Sequence, residues 1–277
     1  IVFDNKFTNN ESEIDQNIFD EILEYYNENK DFFEKDFSNA LSIIRVFKKI
    51  LDIESTIYLL KKIVEKDNTN TEALISLCFH NNYRYDWKQS EYLKYSDILN
   101  EKFYKFPTQD LVNLKSDKNN KIKLGFLSPD IRQKHSVTYF LRTILKEYDS
   151  EKFEINLYLN NKIEDETTSE FREYVSKTIN ISNLSDIEAI NKIRNDQLDI
   201  LFDLGGFSSG HRLVLLKNRL APVQISWCGY CNTLGLKEVD YLIADRNLVY
   251  ENEQNQYSEK IIYFSKIWNC HAGYNIK

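Results

Sequence analysis

Two cysteines separated by two residues, in the stretch Ser226-Trp227-Cys228-Gly229-Tyr230-Cys231, are the first residues of this 277-residue chain whose types and spacing could do chemistry. A Cys-x-x-Cys pair serves thiol–disulfide exchange when the first cysteine sits at a helix N-terminus, which lowers its pKa. Here no amphipathic run begins at Cys228, and Gly235 follows early. A thioredoxin-like site also needs a cis-proline later in the chain, yet the three prolines, Pro107, Pro129 and Pro222, all precede Cys228. As a zinc site the pair is half a set, because no second Cys-x-x-Cys or His-x-x-x-His follows. What remains is a strand, Val223 to Trp227, and a tight loop in which glycines let the backbone approach a ligand closely. Asn232 and Thr233 there offer an amide and a hydroxyl to a polar ligand such as a sugar.

His135 is the second candidate. It stands in a loop just before a helix, and an imidazole with an ordinary pKa near 6.5 suits proton exchange at neutral pH. Asp130, in the same loop, could brace it by capping. A third group comes from DILFDLGGFSSGHRL, where Asp203, Gly206 and Ser208 follow a strand and Asp203 could fix backbone amides. His211 reads as a helix-start residue, and His80 and His271 have no motif around them.

The elements that must position these residues fall into two halves. Residues 1–115 read as helices: apolar spacing from Ile14 to Tyr26, a helix capped by Ser38, and a pair of helices in STIYLLKKIVEKDNTNTEALISLCFHNN that looks like a junction of degenerate tetratricopeptide repeats. A helix from Trp87 to Lys105 closes this half, and the polar tract 116–121 reads as a linker. Over 120–277 strands alternate with helices. Strands are read at 121–128, 153–159, 178–182, 199–206, 222–230, 239–245 and 259–264, and helices at 136–148, 167–176, 185–197 (capped by Ser185) and 211–220. That alternation predicts an α/β, Rossmann-like parallel sheet, whose sites form in the loops at the carboxyl ends of its strands.

Composition narrows the function. The net charge is -7 and no basic run occurs, which argues against a nucleic-acid partner. No apolar run approaches a membrane span and no signal-peptide pattern opens the chain. Four cysteines in a chain of this length form no disulfide scaffold, so a cytoplasmic location is expected. The chain contains no Met and begins at Ile1, as a piece of a longer reading frame would.

The segment RLAPVQISWCGYCNTLGLKEVDYLIAD resembles a signature of the protein O-linked N-acetylglucosamine transferases and their SPINDLY-type relatives, with Arg219, Ala221, Pro222, Val223, Gln224, Trp227, Gly229, Tyr230, Thr233, Gly235, Asp240, Tyr241 and Asp245 on matching positions. KIKLGFLSPDIRQKHSVTYFL, DILFDLGGFSSGHRL and QYSEKIIYFSKIW resemble further family blocks in the right order, so the resemblance covers about 83–277. Three positions depart from the pattern, Cys231 replacing a proline, Phe207 a histidine and His211 an asparagine, and the first loop has one residue more than usual between Asp130 and His135. The Cys-x-x-Cys is then a coincidence of spacing within a sugar loop. Trp87, in HNNYRYDWKQ, is similar to an aromatic segment that joins the helical and catalytic regions in bacterial members.

The resemblance implies a bacterial glycosyltransferase of the GT-B type, with tetratricopeptide repeats before two Rossmann-like halves that hold a nucleotide sugar between them. It implies transfer of N-acetylglucosamine from UDP-GlcNAc to Ser or Thr hydroxyls of a protein, without a metal or other cofactor. Transfer of fucose from GDP-fucose, as in the SPINDLY branch, and a non-catalytic protein-binding module are the alternatives. His135 would lie beside the donor sugar as the proton acceptor. Asp130, Asp203, Gly206, Ser208, Gly229, Tyr230, Thr233 and Gly235 would shape the sugar site, and the helical region would recognise the protein acceptor. The chain ends near the end of the first half, so these residues alone are expected to be inactive.

Overall fold

A computed structural model describes residues 16–86, 88–103 and 121–271, and the chain divides into two compact units, Ile1–Lys102 and Phe103–Lys277. Trp87, residues 116–120 of the linker tract, and the expected helix start at Ile14 and helix end at Lys105 lie outside the described residues.

Among the described residues the first unit holds six helices: α1 (Gln16–Glu28), α2 (Lys30–Phe33), α3 (Phe37–Lys49), α4 (Ile53–Lys66), α5 (Thr71–Asn81) and α6 (Gln89–Lys102). Their starts are set by side chains that accept otherwise unpaired first-turn amides. Asp36 accepts from the Asn39 N–H at 2.9 Å, Asp52 from Ser55 at 3.0 Å and Asn70 from Ala73 at 2.9 Å. The expected cap Ser38 lies instead inside α3. Asp36, two residues earlier and in extended conformation, takes the role, because a carboxylate there also answers the helix dipole. α3 packs on α4, α4 on α5 and α5 on α6. Their shared core includes Ile44, Phe47, Leu59, Leu60, Leu74, Leu77, Tyr92 and Leu99, all at most 1% exposed.

The second unit is built on β1 (Ile122–Ser128), α7 (Ser136–Glu147), β2 (Phe153–Leu159), α8 (Glu166–Tyr174), β3 (Lys177–Asn180), α9 (Asp186–Asn195), β4 (Ile200–Asp203), α10 (Leu213–Lys217), β5 (Val223–Ser226), β6 (Tyr241–Ala244) and β7 (Lys260–Tyr263), with a 3-10 turn at Glu251–Gln256. The seven strands form one parallel sheet in the order β3-β2-β1-β4-β5-β6-β7. Both neighbours of β1 are set by register: Phe126 lies opposite Leu157 on one side and Phe202 on the other. The strands are apolar in near-continuous runs because helices cover a sheet of this kind. Phe126, Leu141, Ile155, Leu157, Phe171, Leu204 and Ile225 belong to one buried cluster. Ser185 caps α9 as expected, in a reciprocal pair with Glu188.

Several elements are shorter than their sequence patterns. β5 ends at Ser226 because Cys228 turns the chain with φ +58°. β4 ends at Asp203, whose carboxylate accepts the Gly206 N–H at 2.8 Å and folds the following residues into a turn. α10 begins only at Leu213 and stops at Lys217, just before Arg219 at φ +45°. No helix among the described residues is long and apolar enough to cross a membrane.

Candidate functional site

The strand order reverses between β1 and β4, where one crossover runs toward β2 and β3 and the other toward β5. In open parallel sheets this switch point leaves a crevice at the carboxyl ends of the strands. Three loops meet there: 129–135 after β1, 204–212 after β4 and 227–240 after β5.

The first loop is held from three directions. The Asp130 N–H donates to Ser128 Oγ at 3.0 Å, and the Thr138 hydroxyl of α7 donates to the carbonyls of Asp130 at 3.1 Å and Arg132 at 2.9 Å. From α8, Asp165 accepts the Gln133 N–H at 2.7 Å while also capping its own helix. Lys134, at φ +56°, then turns the chain so that His135 occupies the N-cap position of α7. His135 makes no side-chain cap bond there. Its Nε2 lies 3.4 Å from the buried carboxylate of Asp130, and its Nδ1 is buried with no hydrogen-bond partner. Burial lowers the His135 pKa below the ordinary histidine value; Asp130 opposes that effect and Arg132 adds to it. The ring is therefore neutral at neutral pH. The Asp130 side chain caps no helix; it faces His135 and, at 3.5 Å, Arg132.

The second loop is organised by Asp203. Burial of its carboxyl raises the pKa to about 6, while the amides of Gly206 and Gly205 pull it down. Gly206 has φ +54°, and a side-chain carbon there would meet Tyr230 Cβ at 2.3 Å. Ser208 Oγ and His211 Nδ1 are buried without partners. Pro129 of the first loop packs on this turn: carbons built on Gly205 and Gly210 would lie 3.1 and 2.9 Å from its ring. Arg212 anchors the far end through Asp186 and the carbonyl oxygens of Ile181 and Leu184.

The third loop comes closest. A carbon on Gly229 would stand 1.7 Å from the Leu204 carbonyl oxygen and 3.2 Å from Val137 of α7, so Gly229 lies against the second loop and α7 at once. Tyr230 is buried and meets Phe207 edge to face, with centroids 5.5 Å apart. Phe207, where the resembled pattern has a histidine, thus packs the second loop onto the third. Thr233 and Gly235 sit further along. The Thr233 hydroxyl donates to Glu259 at 2.5 Å and accepts the N–H groups of Gly235 and Ser258, both at 3.1 Å. Glu259 also accepts the Leu234 N–H at 2.8 Å. Both Thr233 and Glu259 are fully buried, so this hydroxyl is spent inside the loop.

The structure therefore places Asp130, His135, Asp203, Gly206, Ser208, Gly229 and Tyr230 on the adjoining loops at the ends of β1, β4 and β5, and Thr233 and Gly235 in the third loop's internal support. Burial pushes the Cys228 thiol well above its ordinary range, the reverse of what thiol exchange requires. Among the described residues no three His, Cys, Asp or Glu side chains gather as a metal site would need. Sequence reasoning passed over Thr138, Pro129 and Glu259. Thr138 carried a signal, a hydroxyl three residues into the helix after His135. Glu259 carried none, since its partner lies 26 residues away.

Strand order and converging loops define a doubly wound α/β domain with its candidate site at the switch point. The chain belongs to glycosyl transferase family 41, whose model matches residues 89–272. It is similar to a probable UDP-N-acetylglucosamine–peptide N-acetylglucosaminyltransferase SPINDLY of Arabidopsis thaliana, 36% identical over 137 residues, which are 48% of this chain and 15% of the relative. It is also similar to the tomato (Solanum lycopersicum) protein of that name, 30% identical over 153 residues, 54% of this chain and 16% of the relative. The chain thus spans about one sixth of the length of these relatives. In fold it is similar to a mutant O-GlcNAc transferase of Thermobaculum terrenum, with a TM-score of 0.73 at 24% identity over 82% of this chain and 45% of that one.

Proposed function

We propose that this chain supplies part of a protein glycosyltransferase that moves N-acetylglucosamine from UDP-GlcNAc to the Ser or Thr hydroxyl of a protein, without a metal. The observation that carries the reading is the convergence of His135, in a braced loop and neutral at neutral pH, with the glycine-shaped turns at Gly206 and Gly229. A hydroxyl is a weak nucleophile, so transfer needs a positioned proton acceptor and a closely fitted sugar. His135 is the acceptor in this reading. Backbone at the Gly206 and Gly229 turns and the Ser208 hydroxyl face the sugar. Asp203 holds the Gly206 turn, Asp130 faces the ring of His135, and the helical unit recognises the acceptor protein. The plant relatives carry UDP-N-acetylglucosamine in their names, which supports this donor.

The test uses the whole protein as its gene encodes it. Nucleotide release is followed with UDP-GlcNAc and with GDP-fucose, and Ser/Thr peptides are mapped by mass. Release of UDP, lost by about 10²-fold or more in His135→Ala, is the expected result. GDP release alone would move the donor to fucose. Release of neither nucleotide by folded protein would leave a binding module.

A further inference from the structure

We propose that Asp130 is a positioning residue that holds the neutral ring of His135 as the Nε2–H tautomer and so makes Nδ1 the proton-accepting atom. The inference rests on the reading of His135 as the proton acceptor. Asp130 is itself fixed in place: its N–H is taken by Ser128 Oγ at 3.0 Å, its carbonyl accepts from the Thr138 hydroxyl at 3.1 Å, and the residue is 7% exposed. Its carboxylate has no proton to give and faces Nε2 at 3.4 Å, so the favourable arrangement puts the ring proton on Nε2. In a neutral imidazole the other nitrogen is then a lone-pair acceptor. That nitrogen, Nδ1, is the one left buried and without a partner. Asp130 and Arg132 are the charged groups that act on the ring, in opposite directions.

In the transfer step the acceptor oxygen bonds to the anomeric carbon as the bond from that carbon to the diphosphate oxygen breaks. The diphosphate leaves with the bonding pair, and the hydroxyl proton passes to Nδ1. The imidazolium so formed carries its Nε2–H toward Asp130, whose negative charge stabilises it.

The ring can be read directly. The tautomer is accessible by nitrogen-15 NMR of the histidine-labelled whole protein, the same protein in which kcat is measured, at a pH where the rings are neutral, with His135→Gln giving the assignment. The expected wild-type spectrum shows His135 protonated at Nε2. In Asp130→Asn the amide can donate to Nε2, so the ring shifts toward Nδ1–H and kcat falls by about 10²-fold, with the donor KM changed by less than about twofold. A wild-type His135 protonated at Nδ1 overturns the proposal, whatever the variant does. So does an Asp130→Asn protein with wild-type tautomer and kcat. The spectrum answers independently of sugar transfer, so a failed transferase reading and a failed tautomer assignment give different results.

Discussion

At the scale of single residues, the crevice depends on how closely backbones approach. Gly229 is the tightest point, because the atom its side chain would strike, 1.7 Å away, is a main-chain oxygen of the neighbouring strand end and cannot swing aside. Gly205 makes a contrast: an added carbon meets the Pro129 ring at 3.1 Å, and its φ lies outside the left-handed region. Gly229→Ala is therefore expected to cost about 3 kcal/mol and lower the thermal midpoint by about 6–12 °C, while Gly205→Ala costs less than about 1.5 kcal/mol. Thermal unfolding of the two variants side by side checks this, and equal midpoints would refute the close approach. The pH dependence of catalysis belongs here too. Burial lowers the His135 pKa, so transfer should hold at neutral pH and fall only on the acid side of the ordinary histidine value near 6.5. An acid limb centred above 6.5 would contradict the burial seen for this ring.

At the scale of elements, α8 does more than cover the sheet. Its N-cap Asp165 accepts the N–H groups of Thr167 at 2.9 Å and Thr168 at 3.2 Å, and on its other oxygen that of Gln133 in the first loop. Asp165→Ala should cost about 1–2 kcal/mol and also raise amide exchange through 129–135. Ser185→Ala removes a comparable cap from α9, which has no such link, and should leave the exchange of that loop unchanged. Hydrogen–deuterium exchange of both variants measures the difference. These two caps also show what was legible beforehand. Ser185 with Glu188 three residues on is a local pattern, so the start of α9 was readable from the sequence. Asp165 acts across 32 residues, and nothing near it announces that role. The alternation of strands and helices gave the sheet and its loops, because period and apolar runs are local properties. The lengths of β4, β5 and α10 were overread, since side-chain and backbone turns at Asp203, Cys228 and Arg219 end each one inside an apolar run. Of the site residues, Thr233 was singled out as a ligand group, but the sequence could not show that Glu259 would claim its hydroxyl.

At the scale of the whole molecule, the two units carry buried titrating groups of opposite sign. In the helical unit His80 is buried beside the Ser76 carbonyl, 2.6 Å from Nδ1, and burial lowers its pKa to about 4. The unfolded chain, with a value near 6.5, binds the proton first, so this contribution is complete above about pH 6.5 and is lost as pH falls toward 4. The full loss is about 3 kcal/mol. In the α/β unit the pKa of Asp203 rises to about 6, against about 3.9 when unfolded. There the native state binds the proton first, so the contribution is complete below about pH 4 and is lost as pH rises through 6. Replacing each group isolates its sign. His80→Leu should gain stability relative to wild type as pH is lowered from 7 to 4.5, whereas Asp203→Asn should gain relative to wild type as pH is raised from 4.5 to 7.5. Amide exchange followed separately over α4–α5 and over β1 and β4 reads the two units in one sample. If the His80 difference does not change with pH over α4–α5, that ring is not held neutral by burial. If the Asp203 difference does not change over β4, burial does not hold its carboxyl above the ordinary carboxylate range.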